Sequence, residues 1–134
     1  MIKQGDTYKH KVLFRQSDVI KFAEVTGDCN PIHLDAEYAA KTIFKKPIVH
    51  GFLSGAVFSK VFGTLFPGEG TIYLSQEMKF MAPIFVDEEY EACFEVVEVN
   101  TEKHIGIVNC SLLNSQGAAC ITGLARLKHN SQFV

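Results

Sequence analysis

The sequence lacks the features that would commit a protein to nucleic acid or to a membrane. Its 134 residues carry a formal net charge of −2 with both signs interspersed, so there is no basic stripe and no polybasic segment. The longest apolar run, Val49 to Phe66, is interrupted by two serines and a lysine and falls short of the roughly 20 apolar residues of a spanning helix. The opening residues MIKQGDTYKH contain no apolar export segment. We therefore expect small molecules or protein as partners, with no nucleic acid and no membrane.

The four cysteines show no spacing that indicates a shared function. The cysteines at positions 29, 93, 110 and 120 form no CxxC pair and show no spacing typical of metal ligands. We expect these thiols to be reduced, the protein to be cytoplasmic, and no metal site to be built from them.

No internal repeat, low-complexity segment or Pro/Gly/Ser-rich linker divides the chain. A length of 134 residues with 47% hydrophobic content suits one globular domain with a real core. The sequence therefore predicts a single domain over residues 1–134.

The first half of the chain has mainly helical signals. Weak alternation predicts a strand from Tyr8 to Arg15. A short helix is expected to start with Ser17 as N-cap and to stop at Gly27, and Asp35 is expected to cap a second helix through Thr42. The third and longest helix, Gly51 to Phe66, is apolar nearly all the way round, so it should be buried on most sides.

After that helix the period of the sequence changes to two. Alternation predicts four further strands, which run over residues 72–80, 90–99, 104–113 and 118–128. Consecutive strands joined by short turns favour antiparallel pairing. The expected fold class is α+β, with an antiparallel sheet wrapped around the long central apolar helix.

The stretch TGDCNPIHLD, residues 26–35, concentrates titratable groups on a turn. Gly27 ends the preceding helix, and Pro31 pushes Asn30 into an extended conformation, so the segment must bend. A bend can bring Asp28 and His33 together, and a carboxylate beside an imidazole can hold and accept protons near neutral pH. The alternative is that Asp28 only caps the turn and His33 only binds backbone carbonyls.

The pattern GDCNPIH, residues 27–33, is followed seventeen positions after His33 by His50-Gly51. This resembles the hydratase motif of the MaoC-like (R)-specific enoyl-CoA hydratases, a family with the hot-dog fold. The positions that match the motif are Asp28, Asn30, Pro31, His33 and Gly51. Ser59 matches a serine that many members carry in the central helix. Cys29 departs from the family, whose members often carry a larger residue there, and this bears on pocket shape.

The resemblance implies (R)-specific hydration of trans-2-enoyl thioesters, and the reverse dehydration, in fatty acid metabolism. It implies that Asp28 and His33 orient and deprotonate the attacking water and return a proton, and that the backbone N–H of Gly51 binds the thioester oxygen. Asn30 and Ser59 would serve substrate binding. Coenzyme A or the phosphopantetheine of an acyl carrier protein would belong to the substrate, with no separate cofactor, and the protein would be a homodimer or a pair of dimers.

Other functions remain open from the residues. A 2-His-1-carboxylate iron site could use His33, Asp35 and His50, but such an HxD motif lies on a strand, whereas Asp35 should open a helix. Thioesterases with this fold position a carboxylate on the central helix, and residues 51–66 contain no Asp or Glu.

Further alternatives are a non-catalytic acyl-thioester-binding domain, a 3-hydroxyacyl-acyl-carrier-protein dehydratase, and, least favoured, Cys29 as a nucleophile. We expect Cys29 to be buried and to serve packing. Lys45 and Lys46 could meet the phosphates of either carrier, although paired surface lysines are usually only solvated charge.

Overall fold

One strand, four helices and four further strands follow one another along the chain. The computed structural model describes all 134 residues. The elements are β1 (Thr7–Leu13), α1 (Gln16–Thr26), α2 (Pro31–Leu34), α3 (Ala36–Ala40), α4 (Gly51–Thr64), β2 (Ile72–Phe80), β3 (Glu89–Asn100), β4 (Ile105–Leu113) and β5 (Ala119–Lys128). All five expected strands are present, and none of their ends differs from expectation by more than two residues.

The five strands form one antiparallel sheet in the order β1-β3-β4-β5-β2. Short turns join β3, β4 and β5, whereas β1 and β2 lie at the two edges. Along β3 the buried residues are Tyr90, Ala92, Phe94 and Val96, which is the period of two that the sequence predicts. One face of the sheet therefore packs against the core.

Helix α4 fills that core. The rings of Phe58 and Phe62 meet Phe94 of β3 edge to face, with centroids 5.8 and 5.3 Å apart. Both helix side chains are essentially fully buried, and each contributes about 1.5–3 kcal/mol relative to an exposed side chain. The packing of α4 on the sheet confirms the expected α+β class.

The side of α4 next to the edge strand β2 differs from expectation. The helix ends at Thr64, two residues early, and Phe52 is 71% exposed in the protomer. Ala56, Ser59 and Gly63 share this exposed side. The expectation of burial on most sides is therefore wrong for a single chain, because only the edge strand β2 borders this stripe.

The helix ends are set by side chains that the sequence identified only in part. Ser17 is not the N-cap of α1, because the helix already starts at Gln16 and the N–H of Arg15 donates to the Asp18 carboxylate (2.9 Å). Gly27 ends α1 in the left-handed conformation, φ 79°, which glycine adopts without steric cost. Asp35 caps α3 as expected and accepts two backbone N–H bonds of 3.0 and 3.1 Å.

None of the helices combines the length and the hydropathy that a bilayer crossing requires. All four cysteines are unpaired. Burial raises the pKa of the Cys110 thiol to about 11, so this group stays protonated at neutral pH.

Candidate active site

The turn between α1 and α2 places Asp28 beside His33. After Gly27 reverses the chain, the N–H of Asp28 donates to the Thr26 hydroxyl (3.2 Å), and the Asp28 carboxylate accepts the N–H of Asn30 (3.4 Å). Asn30 is extended, with φ −56° and ψ 125°, as its position before a proline requires. The chain bends where the sequence predicts, and a four-residue helix that the sequence did not predict, α2, then carries His33.

Asn30 acts on this turn through its side chain. Its amide oxygen accepts the N–H of Ile32 (3.2 Å) and so caps α2. The cap fixes the short helix on which His33 lies. A direct contact between Asn30 and a substrate stays a prediction, and the role that the geometry gives Asn30 is to position His33.

His33 is held in one orientation by the backbone. The residue is 8% exposed, and Nδ1 lies 2.8 Å from the carbonyl oxygen of Ile48. A carbonyl can only accept, so Nδ1 carries the proton and Nε2 keeps a free lone pair. Gln16 fixes the backbone, because its side-chain amide donates to the His33 carbonyl (3.1 Å). The result is an imidazole oriented as a proton acceptor.

His50 supports the same pair from the other side, a role that sequence reasoning missed. The residue is 1% exposed, and its Nε2–H donates to the carbonyl oxygen of Asp28 (2.9 Å). Its ring lies against His33 with centroids 3.9 Å apart and against Phe22 with centroids 4.7 Å apart. The only available signal was a histidine at the start of an apolar helix, and nothing in that pattern names its partner 22 residues earlier.

Burial shapes the proton affinity of His33. Removal from water lowers its pKa below the ordinary value, and the bond to Ile48 acts in the opposite direction. The neighbouring His50 lowers the pKa further, whereas the charge of Asp28 raises it. Because the balance is downward, the ring is neutral at pH 7 and ready to accept a proton.

Asp28, His33 and His50 also form the one group in the chain with metal-ligand spacing. One donor atom from each lies within 4.8 Å of the others, a spacing that suits a shared proton or a shared cation. Asp35 stands apart, since its carboxylate is bound to the first amides of α3; the iron site of His33, Asp35 and His50 is therefore not formed. Cys29 is exposed, not buried as expected, with its thiol 3.9 Å from the carbonyl of Ala23.

A cavity of about 430 Å³ opens beside His33, a size typical of small-molecule sites. Most of its lining is apolar, and the residues are His33, Phe44, Ile48, Val49, Gly51, Ser54, Phe80, Met81, Ala82, Pro83, Ile84 and Ile121. Such a surface suits a hydrocarbon chain, with polar groups only at a few points.

Gly51 supplies one of those polar points. It is the first residue of α4, so its N–H has no partner inside the helix and lies at the positive end of the helix dipole. A Cβ at this position would lie 2.8 Å from the ring of Phe80. A larger residue here would have to shift the Phe80 ring, and glycine leaves the amide open to the close approach of a ligand.

Ser59 lies elsewhere. It lines a second cavity of about 400 Å³ between α4 and β2, together with Phe52, Gly55, Ala56, Tyr73, Leu74, Ser75, Gln76 and Met78. Within one chain the structure does not bring Ser59 to the cavity beside His33, so its predicted contact with a substrate stays a prediction. Lys45 and Lys46 are exposed before α4, and the Lys46 ammonium lies 3.8 Å from Glu88 and 4.4 Å from the centre of the Phe85 ring.

The sequence pattern of the MaoC like domain matches residues 2–114. The chain belongs to the MaoC-like family. The chain is 40% identical over 115 residues to an (R)-specific enoyl-CoA hydratase of Aeromonas caviae, and the match covers 86% of each protein. It is 42% identical over 95 residues to a 3-hydroxybutyryl-CoA dehydratase of Methylorubrum extorquens, covering 71% of this chain and 60% of that protein.

A solved structure has the same architecture as this MaoC-like domain. It is described as the (R)-hydratase from A. caviae involved in PHA biosynthesis, and it superposes with a TM-score of 0.92 at 37% identity, covering 96% of this chain and 97% of that chain. This agreement confirms the expected hot-dog fold.

The opposing effects of Asp28 and His50 on His33 can be measured. We expect the pKa of His33 to fall in Asp28→Asn, because a charge that stabilises the imidazolium is removed, and to rise in His50→Gln, because the neighbouring imidazole is removed. NMR titration of the His33 ring, assigned with His33→Gln, provides the measurement. Shifts of the same sign in both variants would contradict this electrostatic account.

Proposed function

We propose that this MaoC-like domain hydrates trans-2-enoyl thioesters to (R)-3-hydroxyacyl thioesters and catalyses the reverse dehydration. One observation carries the proposal: an oriented imidazole and the first amide of α4 border one apolar cavity, and a carboxylate lies beside that imidazole. The names of the relatives support the same reaction class. Fold alone would not suffice, because one fold hosts many activities.

The proposed reaction uses Asp28 and His33 as one proton-handling unit. A water molecule held by the two side chains attacks C3 and gives up a proton to the pair as the C3–O bond forms. The electrons of the C2–C3 double bond move towards the thioester, and the resulting enolate takes a proton from the pair at C2. We assign both proton steps to the pair, because strongly interacting groups titrate together.

The negative charge that develops on the thioester oxygen needs a donor that is already in place. The N–H of Gly51 fits this role, because it is free of helical partners and is fixed by the core helix. A preorganised donor of this kind is usually the largest catalytic term. The absence of a side chain at Gly51 lets the thioester carbonyl approach the amide.

Coenzyme A is the proposed carrier, as in the names of the two relatives. Lys45 and Lys46 are exposed in the loop between Phe44 and Ile48, two residues that line the cavity, and their ammonium groups can meet the phosphates of the carrier. The proposal includes no metal and no separate cofactor, and it places the protein in a reducing compartment such as the cytoplasm, where the four unpaired thiols persist.

The proton-handling pair is tested by Asp28→Asn and His33→Gln. Each variant should lose about 10²–10⁴-fold in kcat with crotonyl-CoA, and the double variant should lose little more, since the two residues act as a unit. Loss of enoyl absorbance gives the rate, and chiral analysis of the product should give the (R) isomer.

Asp35→Asn is the matched control, because asparagine also caps a helix and the variant removes the third ligand of the alternative iron site. It should keep full activity, and EDTA should leave the wild-type rate unchanged. A folded Asp28→Asn or His33→Gln with near-full activity on every enoyl thioester, or an (S) product, would refute the proposal.

The amide donor is tested by comparing Gly51→Pro with Gly51→Ala. Both variants add a Cβ against Phe80, but only proline removes the N–H. His50 already has φ −54° and ψ 139°, which a following proline tolerates, and proline suits the first position of a helix. Relative to Gly51→Ala, kcat in Gly51→Pro should fall by about 10²–10³-fold, or about 2.7–4 kcal/mol of transition-state stabilisation. Equal kcat in two variants with matching circular dichroism would exclude the amide role.

The proposal also includes assembly as a homodimer or a pair of dimers through β2. This strand is a sheet edge with unpaired backbone groups, a feature that proteins normally cover. Ile72, Leu74 and Phe80 on β2 are 43–54% exposed, and Phe52 on α4 is 71% exposed beside them. A two-fold contact would cover this apolar strip and the second cavity that contains Ser59.

Assembly is tested by sedimentation at assay concentrations, which should give two or four times the protomer mass of 14.9 kDa. Leu74→Glu should weaken association and activity together, because it puts charge into the proposed contact. Val25→Glu is the control, because Val25 is 85% exposed on α1, away from β2. A fully active wild-type monomer would overturn both the assembly and its link to the site.

A further inference from the structure

Two glycines of α4 serve as contact points for side chains of β2. Gly51 and Gly55 lie one turn apart on the same side of the helix, and Phe80 and Met78 lie two residues apart on the same face of the strand. A Cβ on Gly51 would lie 2.8 Å from the Phe80 ring, and a Cβ on Gly55 would lie 2.6 Å from the Met78 sulfur and 3.0 Å from its methyl carbon. The space that a Cβ would take at each glycine is therefore occupied by the side chain opposite it.

These two contacts separate the two cavities. The cavity beside His33 is bounded at this point by Gly51, Ser54 and Phe80. The second cavity begins at Gly55 and Met78 on the same helix and the same strand. No residue lines both cavities. The contact between α4 and β2, here called the seam, thus has a cavity on each side, of about 430 and 400 Å³. Phe80 and Met78, packed on Gly51 and Gly55, lie between the two cavities.

We propose that Met78, seated on Gly55, is the inner wall of the acyl site and limits the length of acyl chain that is turned over. The inference rests on the proposed function, which places the thioester at His33 and Gly51. An acyl chain that fits the first cavity leaves Met78 in place, whereas a longer chain must displace the thioether to reach the second cavity. Methionine is unbranched and has three rotatable bonds, so its side chain can move aside, and activity should fall gradually as the acyl chain lengthens.

The chemistry of the second cavity strengthens the discrimination. The Tyr73 hydroxyl donates to the Gln76 side chain, and burial raises the Tyr73 pKa, so this hydroxyl stays protonated. The hydroxyls of Ser59 and Ser75 border the same space. A saturated chain offers these hydroxyls no hydrogen-bond partner. Short chains are therefore the favoured substrates while Met78 closes the seam.

The direct test is Met78→Ala, which opens the seam without touching His33, Asp28 or Gly51. The ratio of kcat/KM for trans-2-decenoyl-CoA to that for crotonyl-CoA should rise by about tenfold or more, the order of discrimination that a few methylenes provide in an apolar pocket. Activity on crotonyl-CoA should change only a few-fold. If Met78→Ala does not fold, Met78→Val shortens the same side chain and should raise the ratio by a smaller factor.

Gly55→Ala tests the wall from the helix side. In Met78→Ala the new methyl group has room and partly refills the opened space, so the double variant should move the ratio back towards the wild-type value. Gly63→Ala is the matched control, because a Cβ there meets nothing within 4 Å. It should leave the ratio unchanged in either background.

The outcomes separate this inference from the function on which it rests. If wild type hydrates crotonyl-CoA but a folded Met78→Ala, or Met78→Val in its place, has the wild-type chain-length profile, the wall is wrong and the hydratase proposal stands. If wild type hydrates no enoyl thioester of any length, the proposed function fails, and the wall fails with it. A rise in the ratio that Gly55→Ala reverses in the Met78→Ala background supports the wall.

Discussion

The candidate site depends on one hydrogen bond, from Nδ1–H of His33 to the carbonyl oxygen of Ile48. It fixes the tautomer, aims the other ring nitrogen and ties α2 to the loop before α4. The same loop is held at neighbouring points, because Ile48 N–H donates to Ile32 and Val49 N–H donates to the carbonyl of Ile84, near the sheet. Backbone groups thus orient the imidazole, and the pair of Asp28 and His33 needs few side-chain partners of its own.

Holding the site in this form carries a cost in stability. His33 and His50 lie ring against ring in a nearly dry environment, and Nδ1 of His50 is buried with no hydrogen-bond partner. An unsatisfied buried polar atom typically costs about 1–3 kcal/mol. The cost is tolerated at one end of a core in which Phe58, Phe62 and Phe94 are packed tightly. Local destabilisation supported by a stable scaffold is the usual arrangement at functional sites.

The sequence was informative where the signal is local. Alternation located the strands, Gly27 and Pro31 predicted the bend between Asp28 and His33, and Asp35 was correctly identified as a cap. The failures concern information that local patterns do not contain. Nothing near His50 indicates its bond to a carbonyl 22 residues away, and the exposure of Phe52 depends on how far the other elements of the chain extend over α4. The position of Ser59 likewise follows from how α4 is rotated against β2, which an almost wholly apolar helix leaves undetermined.

The start of α4 at Gly51 has a consequence for the dynamics of the site. Loop-borne binding groups can open through local fluctuations that cost little free energy. The amide of Gly51 instead belongs to the helix on which the hydrophobic core is built, and the His50 carbonyl at its end accepts both the N–H and the hydroxyl of Ser54. Displacing that amide requires unravelling the first turn of the core helix. Its orientation is therefore coupled to the stability of the first turn of α4.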